Sequence, residues 1–456
     1  MTRVTRVTGV TGVTRVTGVT GVTRVTGVTR LTGVTRTRMT RTRVTLLSVA
    51  AALTLAACTS TPSADAPLGS SAASGATGSE VPGASSPSST AAPVSRAVIT
   101  VTPVDAANGA SVLDPVVVKA ANGTLDAVVM TNPQGAEVTG ALSADGTSWS
   151  SAEPLGYGRT YRVAATARDA AGLTTSSSSS FTTAAPAGVI FPSFEPPPDR
   201  GQVGVGQPIS VIFDSPPPDK AAAERALTVT TVPAQVGGWY WVDDRTVHYR
   251  PQVYWQAGTQ VTVDAKIYGV DLGGGMYGET DRTLNLTIGP SKIATIDDAT
   301  KQMVVAIDGQ IVRQYPVSMG RDDSITVDGE VISFVTPSGI YVAQEKYEVK
   351  QMSSASYGLP TDYALGYDSA IPLAVRLSNS GIFAHSAPWS VADQGVRNVS
   401  HGCINMPPDD AQWFYDTFSY GDIVQVTGTS TQLAPDDGYG DWNIPWDQWV
   451  QGSALT

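Results

Sequence analysis

From residue 96 onward the chain consists of short β-branched runs, broken by turn signals roughly every ten residues. This cadence constrains the fold more than any other feature. "SVLDPVVVKA", "LDAVVMTN", "TYRVAATARDAAG" and "SSSFTTAAP" are each too short for a stable helix and rich in strand formers, which predicts an all-β sandwich over 96–186. A Pro-rich joint, "FPSFEPPPDRG", leads to a second set: "QPISVIFDSPP", "ALTVTTVP", "GGWYWVDDRTVHYRP", "TQVTVDAKIYGVD" and "TLNLTIGP". These predict a second sandwich over 187–290, with a hairpin turning at Asp243–Asp244. Trp239, Tyr240 and Trp241 read as packing residues rather than a glycan platform. His248 has no second ligand nearby and reads as structural.

A third module spans 291–428. Two alternating strands flank Asp308–Gly309, a strong hairpin signal. "TPSGIYVAQEKY" and "GIFAHSAP" add strands, "PPDDAQWFYDTF" has the prolines and early acids of a short helix, and "GDIVQVTG" closes the module as a strand. A tail over 429–456 places Trp442, Trp446 and Trp449 on one apolar face, expected to pack back onto the third module. The fold class is therefore mainly β: two sandwiches, similar to bacterial immunoglobulin-like domains, followed by a β-rich module with short helices.

The segments ahead of residue 96 do not read as core. Residues 1–38 are a Val-Thr-Arg/Val-Thr-Gly repeat without apolar periodicity. It is read either as preceding a true start at Met39 or as a disordered cytoplasmic extension. Residues 39–57 carry Arg41 and Arg43 before the apolar run "LLSVAAALTLAAC", a signal-peptide pattern too short to span a membrane. Its end resembles a bacterial lipobox, which implies lipidation of Cys58, an anchor in the outer face of the plasma membrane and a cell-wall-facing location. The alternative is cleavage elsewhere with Cys58 lost. Residues 58–95 are small and polar, a flexible tether. The formal charge is −11, and removing the nine arginines of residues 1–57 leaves −20 for the remainder. Such an acidic chain repels phosphates, so nucleic acid is excluded as a partner.

Only two cysteines and three histidines occur, yet "SHGCINM" places His401 and Cys403 two residues apart. A thiol becomes a nucleophile when a base or cation lowers a pKa of about 8.5. His401 is badly placed to reach the sulfur in a turn or strand. His385, in "GIFAHSAPW", is the better partner, because such pairs meet in space rather than in sequence. Gly402 permits a sharp turn, and its amide and that of Cys403 are expected to converge on an oxyanion. His401 is expected to line the pocket through its backbone only. The scattered histidines and the one available thiol give no zinc spacing, so no metal is expected.

"HSAPWS…VRNVSHGCINM" resembles the signature of bacterial L,D-transpeptidases, and "YPVSMGRDD", "TPSGIY", "MSSASYGLP" and "DDGYGDWNIPWDQW" extend the likeness to the mycobacterial type. The resemblance implies a cofactor-free acyltransferase in which Cys403 attacks a peptidoglycan tetrapeptide stem and releases D-alanine. An amine of a second stem then resolves the thioester as a 3→3 cross-link. His385 would be the base, with the Ser386 carbonyl fixing its tautomer. Tyr367 would stabilise the oxyanion, Ser380, Gly381 and Asn405 would contact substrate, and Met352 and Tyr357 would belong to a lid. Carbapenems are the implied inhibitors. The alternatives are an L,D-carboxypeptidase using the same site, or a catalytically silent wall-binding lipoprotein. Two stretches depart from the pattern: "SITVDGEVISFV" reads as an insertion, and "GLPTDYALGYDSAIPLA" differs from the usual lid.

Overall fold

The computed structural model describes residues 93–456; the repeat, the leader with Cys58 and nearly all of the tether lie outside the described residues. In the first sandwich, Val98–Thr102, Val117–Ala121, Ser148–Ser151 and Gly140–Leu142 form one sheet in that order. Gly123–Thr131, Thr160–Asp169 and Thr174–Thr182 form the other. This is the seven-strand order of constant-type immunoglobulin domains. Strict alternation along Thr160–Asp169 turns Tyr161, Val163, Ala165 and Ala167 inward, against Val118, Trp149 and Phe181.

The second sandwich faces Gln202–Val203, Arg282–Ile288, Gln260–Ala265 and Leu227–Val232 against Gly237–Trp241, Thr246–Pro251, Ile209–Phe213 and Pro192–Glu195. The expected hairpin at Asp243–Asp244 is present. Tyrosines join the two sandwiches: the Tyr268 hydroxyl donates to the Leu155 carbonyl at 2.6 Å and the Tyr157 hydroxyl to the Gly278 carbonyl at 2.7 Å.

In the third module we label β1 (Lys292–Asp297), β2 (Gln302–Ile307), β3 (Gln310–Pro316), β4 (Ser324–Val327), β5 (Glu330–Ser333) and β6 (Gly339–Val342). The remaining elements are β7 (Lys346–Ser353), β8 (Asp368–Arg376), β9 (Phe383–Ser386), β10 (Ile404–Met406), helix α1 (Pro408–Thr417) and β11 (Ile423–Thr427). One sheet runs β3-β2-β1-β11-β6 and a second runs β7-β8-β9-β10. Phe414 and Phe418 at the end of α1 are fully buried in the core that unites the module. The stretch read as an insertion is a tight hairpin, β4–β5, turning at Asp328 and Gly329 with φ of 51° and 89°. Those are the dihedrals of the Asp308–Gly309 turn over again, at 48° and 80°. Ile325, Val327 and Ile332 of this hairpin pack under Tyr357, Leu359 and Leu365, so it supports the loop after β7.

The second sandwich and the third module share one continuous core, in which Val342, Tyr420 and Ile423 join Val205, Ile209 and Trp255. Backbone meets backbone there: the Gly204 amide donates to the Tyr420 carbonyl at 2.8 Å and the Gly206 amide to the Gly421 carbonyl at 2.9 Å.

The tail corrects the reading of its tryptophans. Trp442 lies in a 3-10 turn, Gly440–Asn443, and only Trp446–Trp449 is α-helical. The three rings gather on the second sandwich, with centroids 4.7, 5.4 and 4.4 Å from the buried Arg250 guanidinium. Desolvation lowers the Arg250 pKa to about 10, which leaves it charged at neutral pH. A desolvated cation between aromatic faces contributes about 2 kcal/mol per good contact. Residues earlier in the tail do lie on the catalytic body, where Leu433 joins its core. The tail therefore bridges two units rather than packing on one. His248 takes part in the same seam, its Nδ1 2.7 Å from Asp441 Oδ1, in keeping with a structural role.

A Cβ on Gly204 would lie 2.3 Å from the Gly421 carbonyl carbon and 2.4 Å from the Asp422 nitrogen, atoms that no rotamer change can move. Gly204→Ala is therefore expected to cost about 1–3 kcal/mol in denaturant unfolding. An unchanged midpoint would contradict the close approach.

Candidate active site

The site follows from one register. β9 and β10 are parallel, pairing Ala384 with Ile404 and His385 with Asn405. Ala384 and Ile404 are fully buried in the core beneath. Because side chains alternate along a strand, His385 and Asn405 point to the opposite face, and Cys403, one step before β10, shares the face of Asn405. Seventeen residues of intervening chain thus return the thiol to the cavity that holds the imidazole.

His385 is 4% exposed, and its Nδ1–H donates to the Ser386 carbonyl at 2.9 Å. That bond places the proton on Nδ1 and leaves Nε2 as the basic nitrogen. Burial lowers the ring's pKa to about 4, and the Ser386 carbonyl offsets part of that fall. The Cys403 thiol donates to the Gly381 carbonyl at 3.6 Å. Burial raises its pKa to about 11, and the Phe383 amide aimed at the sulfur opposes the rise. Between these values thiol and imidazole are each neutral.

The turn ahead of Cys403 is pinned from both sides. Gly402 has φ +124° and a Cβ there would meet Ile382 Cδ1 at 2.9 Å, which suits glycine alone. The Gly402 amide, however, donates to Ser400 Oγ at 3.1 Å, and that hydroxyl donates to the Cys403 carbonyl at 2.6 Å. The expected oxyanion role of the Gly402 amide is therefore corrected: a neighbouring hydroxyl has already taken it. The Cys403 amide makes no hydrogen bond among the described residues. The Thr336 hydroxyl donates to the Gly402 carbonyl at 2.7 Å and completes the clamp.

Two cavities meet at the sulfur. One, of about 330 Å³, is lined by His385, Trp389, Asp393, Asn405 and Arg321. The other, of about 700 Å³, is lined by Ser356, Tyr357, Ser380, Gly381 and Lys350. Met352, Tyr367, His401 and Cys403 border both. Met352 and Tyr357 flank the end of β7, where the β7–β8 hairpin and its long connection overhang the thiol. Burial chiefly raises the Tyr367 hydroxyl pKa, so it faces the sulfur as a neutral donor. His401 borders both cavities, and its ring packs edge-on to Phe334 at 4.8 Å between centroids and beside Tyr367 at 5.1 Å. Ser380 lines the larger cavity, but its hydroxyl is engaged by Asp437 at 2.5 Å. Asn405 donates to Ser390 Oγ at 3.0 Å.

Sequence reasoning did not assign Trp389, which is 60% exposed and stacks on His385 at 5.9 Å between centroids. A large aromatic four residues after the candidate base was its signal. Thr336 and Ser400 open the motifs "TPSGIY" and "SHGCINM" but had no role assigned, and Asp437 carried no signal, because its contact with Ser380 is long-range. Among the described residues no cluster of His, Cys, Asp and Glu could hold a metal.

The family profile described as bacterial Ig domain matches residues 107–271, and that of the L,D-transpeptidase catalytic domain matches 291–426. L,D-transpeptidase 2 of Mycobacterium tuberculosis is 44% identical over 357 residues, covering 78% of this chain and 85% of the relative. The chain belongs to the L,D-transpeptidase family. A solved member, LdtMt1 in complex with imipenem, is 33% identical and covers 52% of this chain and 97% of its own, with a TM-score of 0.43. L,D-transpeptidase 3 of Mycobacterium tuberculosis, solved with a faropenem-derived adduct, is 30% identical over 50% of this chain and 94% of its own, with a TM-score of 0.41.

A thiol raised to about 11 should react with iodoacetamide at a rate that climbs about tenfold per pH unit from neutrality to pH ~10. A plateau reached below pH ~8 would reveal a preformed thiolate and contradict the neutral pair.

Proposed function

We propose that this transpeptidase forms 3→3 cross-links between peptidoglycan stem peptides through a Cys403 thioester. The observation that carries the reading is the thiol at the border of two separate cavities, which suits a donor on one side and an acceptor on the other. Hydrolysis needs no second cavity for a peptide.

The sulfur attacks the carbonyl of the third residue of a tetrapeptide donor while His385 Nε2 takes the thiol proton. Transfer concerted with attack is what a neutral pair requires, since free thiolate is scarce. Negative charge on the carbonyl oxygen is met by the Cys403 amide and the Tyr367 hydroxyl. Each such donor is worth about 2.7–4 kcal/mol in acyl transfer. When the intermediate collapses, the C–N bond breaks, and the proton on His385 passes to the departing D-alanine amine. The acceptor stem's amine then attacks the thioester, gives its proton to His385, and expels the sulfur, which recovers that proton. The Ser386 carbonyl stabilises the transient imidazolium without taking a proton itself. Trp389, stacked on His385, and the β7–β8 overhang with Met352 and Tyr357 shield the pair from water. Gly381, Ser380 and Asn405 shape the walls that hold the stems.

The same thiol is the proposed target of carbapenems, in line with the imipenem complex and faropenem-derived adduct of the two solved relatives. Lipidation at Cys58 and a tether through residue 95 would hold the enzyme on the outer face of the plasma membrane, with the sandwiches as a stalk towards the wall.

Purified disaccharide-tetrapeptide should yield a cross-linked dimer plus D-alanine with the wild-type enzyme, and neither with Cys403→Ala, as read by mass spectrometry. Dimer formation by Cys403→Ala would reject the nucleophile. Tripeptide without dimer from the wild type would replace transpeptidation with L,D-carboxypeptidase activity.

A further inference from the structure

The carbonyl that receives the Cys403 thiol belongs to Gly381, in the turn between β8 and β9. Gly381 has φ +102°, so the turn holds a conformation that needs support. The strand ends supply part of it: the Leu377 amide donates to the Ile382 carbonyl at 2.9 Å, and Arg376 Nη1 donates to the Ser378 carbonyl at 3.2 Å. Asp437, half-buried in the C-terminal tail, accepts the Ser380 amide on Oδ1 at 2.7 Å and the Ser380 hydroxyl on Oδ2 at 2.5 Å. Ser380 Oγ lies 2.8 Å from Ser378 Oγ, which in turn accepts the Ile382 amide at 3.1 Å. One carboxylate therefore holds the tip of the turn at Ser380 and, through the two serine hydroxyls, reaches the Ile382 amide. The tail is pressed against it: Gly438 has φ +81°, and a Cβ there would lie 2.6 Å from Gln344 Nε2 and 3.2 Å from Ser378 Cα.

Asp437 is held both by the catalytic body, where the Leu433 amide donates to the Ser338 carbonyl at 2.8 Å and Asn443 Nδ2 donates to the Ile340 carbonyl at 2.9 Å, and by the second sandwich. Two residues on, the Tyr439 hydroxyl lies 2.6 Å from that of Tyr420, which hydrogen-bonds Glu195 of the second sandwich. Asp441 is paired with His248, and the Trp442 indole donates to the Gly206 carbonyl at 2.7 Å. We propose that Asp437 is a positioning residue for the transfer reaction: anchored through the tail on the second sandwich, it fixes the Ser380–Gly381 turn, and with it the carbonyl that orients the Cys403 thiol and one wall of the larger cavity. The second sandwich thereby contributes to the site's geometry as well as to reach. This role rests on Cys403 being the acylated nucleophile.

The test uses the full mature chain, acylation by imipenem followed by intact mass, and thermal unfolding as the check on folding. Asp437→Ala is expected to slow the acylation step about tenfold, a loss typical of a misplaced reacting group, with the initial binding constant nearly unchanged. Asp437→Asn keeps one oxygen for the Ser380 amide and a nitrogen that can donate to its hydroxyl, and should restore the rate to within about threefold of wild type. Adding Ser380→Ala to Asp437→Ala should cost nothing more, because the two act as one unit. Equal rates for Asp437→Ala and wild type would overturn the proposal. So would Asp437→Asn falling as far as Ala, which would mean that charge rather than geometry matters. A wild-type enzyme that gains no mass at Cys403 would instead sink the nucleophile itself. If Asp437→Ala fails to fold, Asp437→Asn and Ser380→Ala remain: wild-type-like Asn with slowed Ser380→Ala supports the turn, and slowed Asn overturns it.

Discussion

The parallel pairing of β9 with β10 is the constraint on which the rest depends. It brings residue 385 beside residue 405, and the period of two along a strand then decides which side chains enter the cleft. A one-residue slip would bury the imidazole in the core and turn Ala384 outward. The register is secured from beneath by Ala384, Ile404 and Met406, all fully buried, and from the side by the Ser400 and Thr336 hydroxyls that clamp the turn before Cys403. The pair's chemistry then follows from burial. Both partners lose their charged forms to desolvation, and the reaction must move a proton as the bond forms.

The same molecule shows how the C-terminal tail comes to matter for the thiol. The polypeptide leaves the catalytic sheet at β11, crosses the turn at Ser380 through Asp437, and ends on the second sandwich around Arg250. Close glycine contacts at 204 and 206 hold that sandwich directly against Gly421 and Ile423. Unlike the hinged linkers usual between domains, a seam built of shared core and backbone hydrogen bonds transmits position.

Much of this was legible in the sequence. Alternating β-branched runs gave the two sandwiches, and Asp308–Gly309 gave its hairpin, because local turn chemistry suffices for those elements. Cys403, His385 and the Ser386 carbonyl were readable from one motif. The hairpin at Asp328–Gly329 is equally readable from its turn residues, which match those of Asp308–Gly309. Gly402 was rightly marked for its backbone, yet its amide was assigned to the oxyanion because a hydroxyl two residues away cannot be seen to intercept it. Nothing in the sequence brings Phe334 and Tyr367 to the ring of His401. The tryptophans of the tail have helical spacing, but Pro445 splits them and Arg250, nearly two hundred residues earlier, decides where they pack. Contacts of that range leave no local mark.

The central claim is that the resting imidazole at 385 is neutral, with its proton on Nδ1 held by the Ser386 carbonyl and Nε2 free to act as base. With three histidines in the chain, nitrogen-15 NMR of the imidazole rings reads this directly. His385 is expected to show the Nδ1–H tautomer unchanged across neutral pH and to protonate only near pH 4. An imidazolium signal for His385 at neutral pH in the free enzyme, lost in Cys403→Ala, would contradict it.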